Sequence, residues 1–461
     1  MIKVTDLIHR WVSFAEKSKD ELIEEIFRLE DKVKALEEEN ETLKKQAQSK
    51  PIKIAAVKRK KRWKKLGRPI GHLGSTRPKP DVIHHSVHQT LERCPDCGNH
   101  TLTELPSERE EHIQEDIVPA IVEATKFIRH GYWCSHCKER KKAPYAPEEI
   151  PYGYLGPNTL VYTLIMKYHH GLPYSKIQTL FHELCGLKVT DSALAQALQR
   201  LAKWLQVEKE VIVKAVRASP WIHMDETGWK IAGTSHWLWD FVNERLALYC
   251  IRRSRGRKVP EEVLTKGYSG IPITDFLSAY DKSGRRRQRC LVHLTREMSE
   301  CRKTDASEEY LLAYKKLKRI IDDAKRLNET RGKLAPWVFA RRVRLLKERL
   351  FDFAAQPFTN QNWKRLSKRL LKYYHEILTF LDVQGLPSDN NHAERMIRPN
   401  VIFRKISFQN MSEKGAHAHE VLMSILQTLR LRKQNAVEFL KTAYLKHRQG
   451  NSSPLLLIPS R

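Results

Sequence analysis

Leu22, Ile26, Leu29, Val33, Leu36, Asn40 and Leu43 are spaced alternately four and three residues apart. That is the heptad of a helix with one apolar seam. Leu occupies each d position and Ile, Val or Asn each a position, which predicts a parallel two-stranded coiled coil with Asn40 setting its register. The g-to-e′ pairs Lys32–Glu37 and Glu39–Lys44 attract while Glu25–Glu30 repels, a balance compatible with a homodimer. A surface helix packed on its own chain would show the same stripe. The period is lost over residues 51–80. A β-rich pattern follows in HIQEDIVPAIVEATKFIRHGYW, and a helical one from about 151 to 217. There, one helix is expected to end near Gly186, and Asp191 or Ser192 to cap a second helix carrying Leu194, Leu198 and Leu201. Two helices joined by a glycine-containing turn resemble a helix-turn-helix, as any helical hairpin does.

At 221 the period changes again. WIHMD (221–225) is a short β run ending in an acid; KIAG, SHWLWDFVN and LALYCIRRS read as further strands, and GIPITD (270–275) as another run ending in an acid. From Cys290 to about 382 the pattern is helical and rich in Lys, Arg and Leu, an inserted helical subdomain. In SDNNHAERMIRPNVIFRKISF (388–408), Asn390 or Asn391 can start a helix with Glu394 in its first turns.

The length of 461 residues suggests about three domains, and Lys+Arg 83 against Asp+Glu 54 leaves a formal charge of +29. That balance predicts a polyanionic partner. The basic run at 51–80 holds eleven Lys or Arg and no acid. Within it Lys58, Arg59, Lys60, Lys61, Arg62, Lys64, Lys65 and Arg68 can release counterions from DNA phosphates. Gly67-Arg68-Pro69 suits an arm lying in a minor groove; a solvated tether would have the same composition. No apolar stretch is long enough to span a bilayer and no signal peptide is evident, so a cytoplasmic protein without membrane contact is expected.

Four of the eight cysteines form CPDC (Cys94, Cys97) and CSHC (Cys134, Cys137). Four thiolates in two such pairs close a tetrahedron around structural Zn²⁺ and leave no open position for catalysis. Cys185, Cys250, Cys290 and Cys301 read as ordinary buried thiols. Two strands that each deliver a carboxylate, Asp225 and Asp275, and a helix carrying Glu394 suggest a two-metal phosphoryl-transfer site for Mg²⁺ or Mn²⁺. Arg395, Arg398, Arg404 and Lys405 surround that last acid in sequence, which makes sense if phosphate and metal lie between them. Pattern alone leaves each acid free to be a cap or an ion-pair partner. Glu226, Asp240, Asp281 and Asp389 compete with the three.

The basic GRPIGH stretch, CPDC…CSHC, HMDETGW (223–229), TDFLSAY (274–280), RCLVHLTRE (289–297) and DNNHAERMIRP…FRKISF…SEKGAHAHEVLMSILQTLR run in the order of one known family. From 51 to about 445 the chain resembles transposases of the insertion sequence 66 family, with Gly228 and Phe276 as departures beside the first two acids. The resemblance implies an RNase-H-like fold and an Asp-Asp-Glu triad on Asp225, Asp275 and Glu394. It further implies cleavage of element ends, strand transfer and helper proteins of the same element.

The expected architecture is α+β and multidomain. It comprises a coiled-coil dimerisation helix (1–48), a basic arm (49–90), a zinc-ribbon-like module (91–145) and a helical DNA-binding region (146–217). An RNase-H-like α/β catalytic domain (218–298 and 383–445), a helical insertion (299–382) and a tail (446–461) complete it. The alternatives are a dimeric zinc-containing DNA-binding regulator without catalysis and an RNase-H-like nuclease without strand transfer. His417-Ala418-His419 imitates a nicking-enzyme metal pair, but on a helix residues two apart face different directions.

Overall fold

A computed structural model describes residues 153–448 without a break, together with 18, 21, 24, 28–38, 80–93, 95–100, 103, 105, 113–114, 121–147, 149–150 and 453–456. The chain divides into two compact units, Met1–Glu115 and Asp116–Arg461. In the first, residues 28–38 are helical, and Leu29, Val33 and Leu36 of the heptad are exposed. Leu22, Ile26, Asn40 and Leu43 lie outside the described residues, as does the basic run with Lys58, Arg59, Lys60, Lys61, Arg62, Lys64, Lys65 and Arg68.

The second unit opens with the hairpin β1 (Gly131–Cys134) and β2 (Glu139–Lys142). The β-rich expectation for 112–133 is met only at its end, where Gly131–Trp133 lie in β1. Residues 121–130 form no strand, and Ile121 and Ile128 are exposed. Period-two apolar positions make a strand only where a neighbour completes the ladder.

Four helices follow: α1 (Pro157–Leu164), α2 (Tyr174–Cys185), α3 (Asp191–Trp204) and α4 (Gln206–Arg217). α2 ends at Gly186 in the left-handed region (φ 69°), as its glycine predicts. The cap of α3 is Thr190 rather than Asp191 or Ser192. Thr190 is extended, and its hydroxyl accepts the Ala193 amide at 3.2 Å, which leaves Asp191 in the first turn against the helix dipole. Leu194, Leu198 and Leu201 are buried, as the period requires.

A five-stranded sheet comes next, in the order β5-β4-β3-β6-β7. Its strands are β3 (Trp221–Ile231), β4 (Thr234–Val242), β5 (Ala247–Arg252), β6 (Ile271–Thr274) and β7 (Gln288–Arg289). β3, β4 and β5 are antiparallel, whereas β6 and β7 run parallel to β3. Two sequence expectations change here. β3 does not end at Asp225, and KIAG is not a separate strand. β4 pairs with β3 residue for residue from His223↔Val242 to Ile231↔Thr234, so the ladder carries through the acid to a tight turn at Ala232–Gly233, both with positive φ.

Between β5 and β6 lies α5 (Lys258–Leu264). After β7 come α6 (Leu291–Thr304), α7 (Glu308–Glu329), α8 (Pro336–Ala354), α9 (Gln361–Lys372) and α10 (Tyr374–Ile377). These pack into one apolar core with Ile271 and Ile273 of β6. α11 (Asn391–Ser407) lies against β3 and α12 (Glu413–Leu431) against β5, in a second core shared with α1, α3, α4 and α13 (Ala436–Arg448). α12 is buried almost all round from Ala418 to Leu429, the mark of a central helix.

Two buried acids knit this core. Glu420 accepts Lys209 Nζ at 2.7 Å and the Ile251 amide at 2.7 Å. Glu208, fully buried, accepts His447 Nε2 at 2.6 Å and the amides of Leu455 and Leu456 at 2.8 Å each. The expected tail is thereby docked over its described residues. Cys250 and Cys290 are buried; Cys185 and Cys301 are half-buried, short of the expected burial. Among the described residues no helix is long and apolar enough to cross a membrane.

Candidate active site

His223 pairs with Ile273 in the parallel β3–β6 ladder. The ladder ends there; two residues further on stand Asp225 on β3 and Asp275 directly after β6, close enough for the Asp275 charge to act on Asp225. Side chains on one strand alternate faces, and the odd-numbered positions of β3 face α11 and α12. His223 Nδ1 meets Asn390 Oδ1 at 3.1 Å, Arg404 donates to the Thr227 hydroxyl at 3.1 Å, and Trp229 stacks on Phe403. Asp225 shares that face. Glu394 stands in the first turn of α11.

The neighbouring carboxylates act on Asp225. Burial raises the Asp225 carboxyl from 3.8 to about 7, and the negative charges of Glu226, Asp275 and Glu394 add to the rise. Asp240, opposite Asp225 in the β3–β4 ladder, is fully buried and also pushed far upward, first by burial and then by Asp225. One Asp240 oxygen accepts the Asp225 amide at 2.7 Å; the other has no hydrogen-bond partner. Glu226 is held by Arg255 at 2.8 Å and by the Tyr280 hydroxyl. Asp281 is taken by Arg289 and Lys372, and Asp389 accepts the Asn391 amide at 3.0 Å. Three of the four competing acids are thus satisfied by protein partners, and Asp240 belongs to the site as an inner neighbour.

Glu394 faces α6. His293 Nε2 is 3.6 Å and Arg296 Nη2 3.5 Å from its carboxylate, and its Oε1 makes no hydrogen bond. The cations beside this acid are therefore not those expected from sequence. Arg404 is turned to β3, donating to the Gly228 carbonyl and Thr227. Arg395, Arg398 and Lys405 are exposed on α11. The 3.6-residue period sends them around the helix, whereas α6 is brought in by the sheet. Asn390 is the N-cap residue of α11, as expected, and its carbonyl accepts the Glu394 amide at 3.2 Å, but its side chain is not used as a cap. Its side-chain amide donates to the Met224 carbonyl at 2.8 Å and its oxygen takes His223, stapling the helix start to β3. Burial, aided by His392, lowers His223 to about 4, so it is a neutral structural donor.

Among the described residues, no group of three or more His, Cys, Asp or Glu is drawn in tightly enough to hold a metal ion as it stands. The donor set still suits a divalent cation. The donors are hard carboxylate oxygens, burial and acidic neighbours disfavour the Asp225 anion, and Glu394 Oε1 and Asp240 Oδ2 have unfilled acceptor capacity.

Cys94 lies outside the described residues. Cys97, Cys134 and Cys137 carry no disulfide. Cys134 closes β1, and its sulfur accepts the Cys137 amide at 3.4 Å. Amide donation from Cys137, more than that from His136, lowers its pKa toward the thiolate a metal requires. The residue after each CxxC pair, Gly98 (φ 73°) and Lys138 (φ 52°), is left-handed. The second pair is therefore bent into a tight turn.

Sequence reasoning named Asp240 only as a competitor and missed Arg289, Arg296 and Asn390 as partners of the site. A lone acid in the apolar run SHWLWDFV was the one available signal for Asp240. RCLVHLTRE was the signal for Arg289 and Arg296.

In a strongly basic chain, a mixed sheet and its covering helix bring several acids into one electrostatic neighbourhood, and the family match places the chain among DNA-processing enzymes. Residues 152–418 match the family model "Transposase IS66 family", and residues 92–138 match "zinc-finger binding domain of transposase IS66". The first match alone spans more than half the chain, which therefore belongs to the IS66 transposase family. The chain is also similar to three proteins of Sinorhizobium fredii, each described as an uncharacterized protein. With y4jD it is 24% identical over 396 residues, 79% of this chain and 76% of the relative. With y4hP it is 23% identical over 399 residues (77% and 71%), and with y4qI 24% over 331 (63% and 59%). Membership supports DNA binding, a zinc-binding module and use of a divalent metal.

Proposed function

We propose that this protein binds the ends of a bacterial insertion sequence, cuts them and joins them to target DNA, through an RNase-H-like domain with Asp225, Asp275 and Glu394 as metal ligands. The observation that carries this reading is that the parallel β3–β6 pairing leads to Asp225 on one side and Asp275, just after β6, on the other, with Glu394 of α11 near enough to act on Asp225. Two Mg²⁺ or Mn²⁺ ions held there would supply activation of the attacking oxygen and charge neutralisation at the leaving one. The chain's own part is to hold three carboxylates on rigid elements and exclude competing partners. Arg296 is half exposed, and its contact to Glu394 is long, so its guanidinium can turn to a phosphate once Glu394 engages a cation. Arg395, Arg398 and Lys405 on the same helix extend the positive surface for the DNA backbone. The α2–α3 pair and the basic run at 51–80 add further DNA contacts. The coiled coil makes a homodimer, which accounts for the bare Leu29, Val33 and Leu36. Accessory proteins of the same element assist.

The decisive experiment incubates the protein with DNA carrying the flanks of its own coding locus and Mg²⁺ or Mn²⁺. End-specific cuts and joined products are expected, and both disappear in Glu394→Gln. Cutting without joining would favour a nuclease; binding with neither would favour a regulator.

Cys94, Cys97, Cys134 and Cys137 are read as one structural zinc site. Chelation should release about one zinc per chain, measured with a colorimetric indicator on metal-replete protein. Release of none would remove the site.

A further inference from the structure

The RCLVHLTRE segment lies between two carboxylate-bearing elements and bonds to both. The Cys290 amide donates to the Thr274 carbonyl at 2.8 Å, just ahead of Asp275. The Leu291 amide donates to Ser388 at 3.0 Å, and the Asn390 amide donates to Cys290 Sγ at 3.1 Å, at the start of the Glu394 helix. Arg289 is the first residue of this segment. Its side chain is 0% exposed, and a buried guanidinium persists only where its donors are matched. Nε donates to Glu376 at 2.7 Å and Nη2 to Asp281 at 2.6 Å. Nη1 donates to the Asp275 carbonyl at 2.8 Å and reaches the Thr274 hydroxyl at 3.3 Å. The guanidinium lies over the Tyr373 ring at 4.2 Å, and the Tyr373 hydroxyl donates to Asp281 at 3.0 Å.

Two features separate this from an ordinary buried ion pair. Glu376 is already paired by Arg287 at 2.6 Å, so neutralising it does not require Arg289. One arm of Arg289 is instead spent on the backbone that carries Asp275. Glu376 and Tyr373, which orient the guanidinium, belong to the inserted helices at α9 and α10. We propose that Arg289 is a positioning residue for Asp275, and that through Glu376 the helical insertion acts as a brace on the metal-ligand loop. This rests on reading Asp275 as a ligand. Lys cannot replace Arg289, because an ammonium lacks the planar fork that spans Glu376, Asp281 and a carbonyl at once.

The test is Mn²⁺ binding to the full-length protein by electron paramagnetic resonance, for wild type, Asp275→Asn, Glu376→Gln and Arg289→Lys. Wild type binds Mn²⁺ and Asp275→Asn loses most of it. Glu376→Gln and Arg289→Lys, with unchanged circular dichroism, each weaken Mn²⁺ affinity roughly tenfold, the usual cost of removing a group that orients a ligand. The double variant is no weaker than the worse single, because both act through one link. A merely structural role lowers the melting temperature and leaves Mn²⁺ affinity of the folded protein unchanged; that result in Glu376→Gln overturns the proposal. If those variants fold poorly, Tyr373→Phe removes only the hydroxyl on Asp281. It must still weaken Mn²⁺ binding measurably, and no shift overturns the proposal. Wild type that neither binds Mn²⁺ nor cuts DNA would overturn the active-site reading and the brace together.

Discussion

Asp225→Asn should lower DNA cleavage roughly 10³-fold or more, because it removes a charged ligand that acts as a unit with two others. The same change should stabilise the metal-free protein near pH 8. Burial and three nearby acids raise the Asp225 carboxyl from 3.8 to about 7. Below about pH 4 it is protonated in both folded and unfolded chains and costs nothing. As pH rises from there to 7 the unfolded chain ionises first, and folding stability falls. Above 7 the penalty is constant, at most ~4 kcal/mol, and less where the site relaxes or admits water. Asn carries no such penalty, so the variant should melt several degrees higher at pH 8, with the gain fading toward pH 4. Mn²⁺ should raise the melting point of wild type much more than that of the variant. A variant less stable than wild type at pH 8 would show that the carboxylates do not repel as the packing implies.

Glu420→Ala should cost about 3–5 kcal/mol in urea unfolding, the range for breaking one side of a buried ion pair. Glu420 sits on the central helix and collects Lys209 of α4, Arg252 Nη1 at 3.0 Å and the Ile251 amide of β5. Alanine leaves a nearly buried ammonium and a strand amide without their acceptor at the junction of three elements. Replacing both Lys209 and Glu420 with Met should cost less than the single change, since the nearly buried ammonium goes with its acceptor and Arg252 keeps Glu262 at 2.9 Å. A loss under about 1 kcal/mol for the alanine variant would mean that water already reaches the pair.

Much of the fold was legible in local pattern. The Gly186 stop, the burial of Leu194, Leu198 and Leu201, strands β4 and β5, and the acids after β6 and in the first turn of α11 all follow from period, caps and turn residues. The errors have a common form. β3 was cut short because an acid in mid-strand reads as an end until a partner strand is seen to run past it. The cap of α3 falls one or two residues before the expected Asp191 or Ser192 because Thr190, Asp191 and Ser192 are all good caps, and only the backbone angles choose among them. The cations expected around Glu394 were drawn from its own helix, whereas His293 and Arg296 come from another.

Taken alone, the sequence determined which kind of element Asp225, Asp275 and Glu394 ride on, a strand, a strand end and the first turn of a helix, because that depends on contacts within a few residues. The partners of those residues were decided by the tertiary structure. Asp225 comes near Asp275 through the parallel pairing of strands about fifty residues apart. Arg289 finds Glu376 and Asp281 only when the insertion packs on the sheet. Such pairings depend on how distant elements meet, a property of the whole packed chain that no short stretch of it encodes.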